Sequence, residues 1–192
     1  MINERSISMI KSGYTKKMAF IAMMACIIAI CSWITVPSTV PFTLQTFAVF
    51  CAVLLLGGKD GTFAVALYIL LGCVGLPVFS GFSGGIGHLL GLTGGYIIGF
   101  LFTTLEYMLF EPLIKKNKKL TIPVLVLGLI LCYAIGTLWF AAVSSMNGNS
   151  RSINAILIMC VYPYIIPDII KLLLALGICN RVKKALPKQF DE

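Results

Sequence analysis

Residues 122–146 read Ile-Pro-Val-Leu-Val-Leu-Gly-Leu-Ile-Leu-Cys-Tyr-Ala-Ile-Gly-Thr-Leu-Trp-Phe-Ala-Ala-Val-Ser-Ser-Met, 25 positions without one charged side chain. A hydrocarbon core of roughly 30 Å takes about 20 helical residues at about 1.5 Å each, so this run is long enough to cross a bilayer. Five more apolar stretches lie around it, at 18–36, 43–56, 62–77, 89–114 and a last one ending near Ile178. The second and third of these are short. Gly57-Gly58-Lys59-Asp60-Gly61 between them reads as a tight hairpin turn. Composition agrees, because the 192 residues are 59% hydrophobic and 11% charged, whereas soluble domains run near 25% charged. A chain of this size could not hide that much apolar surface from water. The expectation is an all-α polytopic membrane protein with six transmembrane helices, a single domain over 1–192, and short basic tails at about 1–17 and 180–192.

The basic residues orient it. Arg5, Lys11, Lys16, Lys17, Lys59, Lys115, Lys116, Lys118, Lys119, Arg181, Lys183, Lys184 and Lys188 make 13 of the 15 lysines and arginines, and all fall on one side of a six-span chain. The opposite loops hold Arg151 alone, and Lys171 lies within the last span. Lysine and arginine accumulate on cytoplasmic loops, so both termini are expected in the cytoplasm, with the chain crossing the plasma membrane several times. The net charge of +8 is then a topology signal facing membrane lipid, not a nucleic-acid footprint. The first span exceeds a signal peptide's apolar region, lacks a small-x-small cleavage site and precedes five others, so it is retained as a helix.

Several chemistries lack their parts. The seven cysteines stand singly in apolar runs without metal-ligand spacing, and behave as small hydrophobes. Gly57-Gly58-Lys59-Asp60 lacks the first glycine and the Ser/Thr of a phosphate-binding loop. One histidine, His88, and no nucleophile motif leave no catalytic residues to nominate, no metal and no bound cofactor, and an enzyme is not expected. His88, beside a glycine-rich outer loop, reads as a solvated or interfacial ring.

Charges inside a membrane cost roughly 2.5–3.5 kcal/mol on insertion scales and so mark function by default. Glu106 lies about two turns before the lysines at 115–119, where pairing or snorkelling is easy, and Glu111 is interfacial. Asp168 and Lys171 differ. Their i, i+3 spacing puts both on one helix face, and Pro163 and Pro167 forbid a continuous helix upstream. A helix beginning at Pro167 would cross the bilayer in about 18 residues, roughly 27 Å, with the pair in its outer first turn and 153–162 as an outer capping segment. A carboxylate accepts from ligand N–H groups while an ammonium binds a ligand carboxylate, so the face suits a small amphoteric or acidic molecule; a plain ion pair locking the helix start is the alternative.

Between 81 and 96 the chain reads Gly-Phe-Ser-Gly-Gly-Ile-Gly-His-Leu-Leu-Gly-Leu-Thr-Gly-Gly-Tyr. Glycines 91, 95 and 99 suit close helix packing. The loop before them, with Ser83, Gly84, Gly85 and the aromatic Phe79 and Phe82, is positioned to touch a ligand through side chains and exposed backbone donors. A proline-punctuated outer loop, 36–47, runs into the second span and carries Gln45. Ala22, Ala25 and Ala29 form a small-residue stripe on the first helix, suited either to internal packing or to a partner.

Three separated motifs, Pro41-Phe42-Thr43-Leu44-Gln45-Thr46, the run from Gly75-Leu76-Pro77-Val78-Phe79 to Gly94-Gly95-Tyr96, and Pro167-Asp168-x-x-Lys171, together resemble the biotin-specific S-component family, BioY, of energy-coupling factor (ECF) transporters. Leu92 stands where that family's pattern has proline. The resemblance implies a six-helix membrane subunit, part of an ABC transporter, that captures biotin outside, closed over by the loop between helices one and two. It implies release inward by a transmembrane T-component and two ATPase subunits, met through the Ala22, Ala25 and Ala29 surface. Asp168 would accept from the ureido N–H groups and Lys171 would bind the carboxylate or the ureido oxygen. Gln45 and Ser83 would add neutral hydrogen bonds, with Tyr96, Phe79, Trp33 and Tyr164 as apolar walls. An S-component for another vitamin and an ion-coupled secondary transporter are the rival readings.

Overall fold

The computed structural model describes residues 4–36, 41–149 and 151–185, and the side chains of 4–12 lie outside that description. So do Pro37, Ser38, Thr39 and Val40 of the expected outer loop, Lys188, and most of the expected carboxy-terminal tail. Among the described residues there are seven α-helices: α1 (Glu4–Trp33), α2 (Gln45–Cys73), α3 (Ile86–Leu90), α4 (Gly94–Lys116), α5 (Thr121–Met146), α6 (Ile153–Cys160) and α7 (Tyr162–Ala185). The departure from all-α is a ribbon of two-residue strands, β1 (Thr35–Val36) and β2 (Phe42–Thr43), antiparallel with Thr35 opposite Thr43. Four helical stretches are long and apolar enough to cross a membrane, and α6 with α7, bent by 43° between them, passes as a fifth.

The expected second and third spans form one helical element broken at a point. Gly57 takes φ +82° and ψ 173°, backbone that essentially only glycine adopts, and the chain turns back there. Gln45 and Tyr68, 23 residues apart, share a side-chain hydrogen bond at 2.5 Å, which a straight helix could not allow. The turn is tighter than expected, because Lys59, Asp60 and Gly61 are already helical. Gly58 lies so close to α4 that a Cβ there would meet the Met108 Cα at 2.4 Å, and its N–H donates to Glu111 Oε2 at 3.0 Å.

Other boundaries shift for local reasons. α1 begins at Glu4, so the expected amino-terminal arm is helical rather than a tail. The expected 89–114 span starts at Gly94, since Leu89 belongs to the separate short α3. α7 starts at Tyr162 with Pro163 in its first turn, where a proline loses no hydrogen bond, and not at Pro167. Of the glycine stripe, Gly99 lets α4 approach α5, a Cβ there meeting the Cys132 Cα at 3.0 Å, while Gly91 lies outside the helix and accepts from Trp139 Nε1.

The core is continuous between α1, the two limbs of α2, and α4, with Met24, Ile28, Val49, Val65, Tyr68 and Phe79 buried in it. Ala25 and Ala29, 1% and 7% exposed, belong to this core. Their small side chains serve the internal α1–α2 contact, which corrects the expected partner surface; Ala22 alone of the three is exposed.

Lys17 pairs with Asp60 at 3.0 Å and Glu111 with Lys115 at 3.2 Å, so the middle of α1, the α2 turn and the end of α4 lie together at one end of the bundle. Chain direction then brings the starts of α2, α4 and α7 to the opposite end.

Candidate substrate-binding site

At that opposite end a cavity opens between the starts of α2, α4 and α7, the middle of α5 and the end of α6. Its polarity is concentrated in one cluster. Asp168 and Lys171, 4% and 5% exposed, pair at 2.8 Å between Oδ1 and Nζ. Lys171 Nζ also donates to the Thr43 carbonyl at 2.6 Å and to Thr46 Oγ1 at 3.2 Å, and sits 3.9 Å from the centroid of the Phe42 ring. Asp168 accepts from Thr46 Oγ1 at 2.9 Å on Oδ1 and from the Tyr133 hydroxyl at 2.6 Å on Oδ2. Every strong partner of this pair comes from another element, and without them a buried charge would cost several kcal/mol, of order 3–5 when one member of such a pair is removed.

Gln45 borders the same cavity, its amide donating to the Tyr68 hydroxyl and accepting from Thr43 Oγ1 at 2.9 Å. Tyr96 and Tyr164 line it too. Tyr164 stacks on Phe42 at 6.0 Å between centroids, and the Tyr96 hydroxyl is buried without a hydrogen-bond partner among the described residues.

The remaining expected contacts lie beside the cavity rather than in its lining. Phe79 is fully buried, edge-on to Tyr68 at 5.6 Å and pressed against Gly72. Trp33 stacks on Phe82 at 5.1 Å and donates to the Pro77 carbonyl at 2.8 Å. Ser83 donates to the Ser80 carbonyl at 2.7 Å and lies 3.0 Å from His88 Nδ1. Gly84 passes the Leu76 carbonyl so closely that a Cβ would sit 2.2 Å from it, and Gly85 N donates to the Gly72 carbonyl at 2.7 Å. These residues build the 74–93 loop that walls the site; from it Ser80 and Thr93, not Ser83, reach the lining. His88 is half-buried and stacked on Phe79 at 5.2 Å, not solvated.

Glu106 is also corrected. It is 7% exposed, neither pairs nor reaches water, and both carboxylate oxygens lack hydrogen-bond partners among the described residues, beside Thr103 and Gly128.

Tyr133, Thr46, Thr43 and Phe42 were not singled out from the sequence. Three of them stand in the Pro41–Thr46 motif, two or three residues from Gln45 or adjacent to it, and the run could have drawn attention to them as site residues. Tyr133 gave little signal, since a tyrosine inside an apolar span is ordinary.

The chain is similar to known proteins in sequence and in fold. The BioY family profile matches residues 3–188. This chain belongs to the BioY family. The probable biotin transporter BioY of Pyrococcus horikoshii is 37% identical over 169 residues, covering 88% of this chain and 96% of that protein. The biotin transporter BioY of Thermotoga maritima is 39% identical over 161 residues, covering 82% and 90%. Among solved structures, the crystal structure of the S-component for biotin from an ECF-type ABC transporter is similar at a TM-score of 0.78. It is 29% identical and covers 89% of this chain and 92% of that one. As a BioY family member the chain has the S-component fold and is a membrane protein.

Proposed function

We propose that this chain is a biotin-binding S-component, a transporter subunit and not an enzyme, which captures biotin at the end holding Asp168 and Lys171. The buried Asp168–Lys171 pair facing a cavity with apolar walls carries this reading. Biotin offers two ureido N–H donors and one acceptor beside an apolar ring, with a carboxylate on an aliphatic arm. Asp168 accepts from the ureido N–H groups, and Lys171 binds the ureido oxygen or the carboxylate by a charge-assisted bond. Phe42, Tyr96 and Tyr164 enclose the apolar parts, and Gln45 adds a neutral hydrogen bond.

Six crossings are formed by α1, the two limbs of α2, α4, α5 and the bent α6–α7 pair, which puts both termini in the cytoplasm. The single domain spans 1–192. Transfer inward is driven by a transmembrane T-component and two ATPases, and the chain carries no cofactor of its own.

Equilibrium titration of the detergent-purified protein with labelled biotin tests the site. Asp168→Asn and Lys171→Ala each weaken binding at least about tenfold, or about 1.4 kcal/mol. Because either leaves a buried group unpaired, the double variant D168N/K171M is measured alongside; it removes both charges, stays folded and also fails to bind. Unchanged affinity in folded protein, or displacement of biotin by thiamin or riboflavin as readily as by biotin, overturns the assignment.

A further inference from the structure

The lysine-bearing end holds a second and larger opening. A cleft of about 550 Å³ lies between the first limb of α2, the end of α4, the start of α5 and the end of α7. Its apolar lining includes Leu54, buried, Leu176, half-buried, and Ile122, exposed, and Lys118 and Lys183 are exposed cations beside them. The lining includes one carboxylate, Glu111, already bound by Gly58 N–H at 3.0 Å and by Lys115 at 3.2 Å. Lys118 and Lys183 have no ion-pair partner among the described residues.

We propose that this cleft binds an anionic phospholipid, its phosphate between Lys118 and Lys183 and its upper acyl chains against Leu54, Ile122 and Leu176. Charge complementarity selects the headgroup, since Glu111 is neutralised by Lys115 and the two further lysines leave the mouth positive. The apolar interior selects an amphiphile over a soluble anion, because inorganic phosphate would leave those walls wet. Position selects a lipid over a folded protein. The lysines stand where the apolar helices end, the level at which a bilayer presents its phosphates, and basic pockets between membrane helices hold acidic headgroups on this principle. The inference depends on the membrane placement of the chain and not on what the opposite cavity binds.

Native mass spectrometry of protein released from nanodiscs containing equal phosphatidylglycerol and phosphatidylcholine tests it, without biotin present. The wild type retains phosphatidylglycerol in preference to phosphatidylcholine. K118S/K183S loses at least about four-fifths of that retention, K118R/K183R keeps it, and Leu176→Trp, which fills the half-buried apolar part of the cleft, reduces it with both lysines intact. K16S/K119S removes two charges from the same end outside the cleft and retains lipid as the wild type does. Equal loss in K16S/K119S reduces the effect to surface charge and overturns the site. So does equal retention of phosphatidylcholine, or competition by millimolar inorganic phosphate alone. A folded partner that competes with bound phosphatidylglycerol for the intact cleft would replace the lipid assignment with a protein interface.

Discussion

His88 shows how one side chain ties the site loop to pH. The Ser83 hydroxyl has a single hydrogen and gives it to the Ser80 carbonyl, so His88 Nδ1 must be the donor in their 3.0 Å contact. The other ring nitrogen, Nε2, is buried without a partner among the described residues. Protonation would place an N–H there with nothing to accept it, and burial accordingly holds the His88 pKa below its ordinary value. A histidine held low when folded takes up more protons when unfolded. Its contribution is complete above the unfolded pKa of about 6.5 and is lost as pH falls through that value. Thermal unfolding in detergent should therefore show the midpoint falling between pH 7 and pH 5 more steeply in the wild type than in His88→Asn. Asparagine keeps a donor towards Ser83 but does not titrate. Parallel slopes would remove His88 from the account. With one histidine in the chain the comparison is clean.

At the scale of elements, the α2 hairpin makes a close geometric demand on its neighbour α4. A methyl at Gly58 would collide with the backbone of Met108, and backbone gives way less readily than a side chain. Overpacking of this kind costs about 1–3 kcal/mol. Gly58→Ala should lower the thermal midpoint by several degrees, and a midpoint within about one degree of the wild type would show that α2 and α4 do not need this close contact. Apolar run length and glycine punctuation were enough to locate this hairpin in the sequence, because a bilayer imposes length and only glycine tolerates the Gly57 backbone. They could not say that the helix resumes at Gly58. That follows from the Glu111 carboxylate, 53 residues away, which takes the exposed N–H of the second limb. The start of α7 was ambiguous too. Pro163 and Pro167 both suit a first turn, and it is Pro163 that holds that place, with 162–166 mostly exposed apart from the stack of Tyr164 on Phe42.

For the whole molecule, the ends are distinguished by charge, and the six-crossing arrangement makes that measurable. In a cysteine-free background on intact cells, a cysteine at Asn149, at the site end, should react with an impermeant maleimide. One at Asn117, between the lysines of the other end, should react only after permeabilisation; the reverse pattern would invert the topology. The candidate site was legible in proportion to how unusual its residues are in a bilayer. Asp168 and Lys171 stood out as charges in an apolar helix, whereas the Tyr133 hydroxyl that completes Asp168 comes from an unremarkable position 35 residues before it. The Ala22, Ala25 and Ala29 stripe misled because small residues let helices meet whether the neighbour is internal or foreign, and here Ala25 and Ala29 face α2. A consequence follows from how Lys171 is held. An ammonium has three hydrogens, and Thr43, Thr46 and Asp168 accept from all three. An arriving solute must therefore exchange with a bond already made, and its affinity reports the difference between two sets of contacts rather than the capture of an unsatisfied ion.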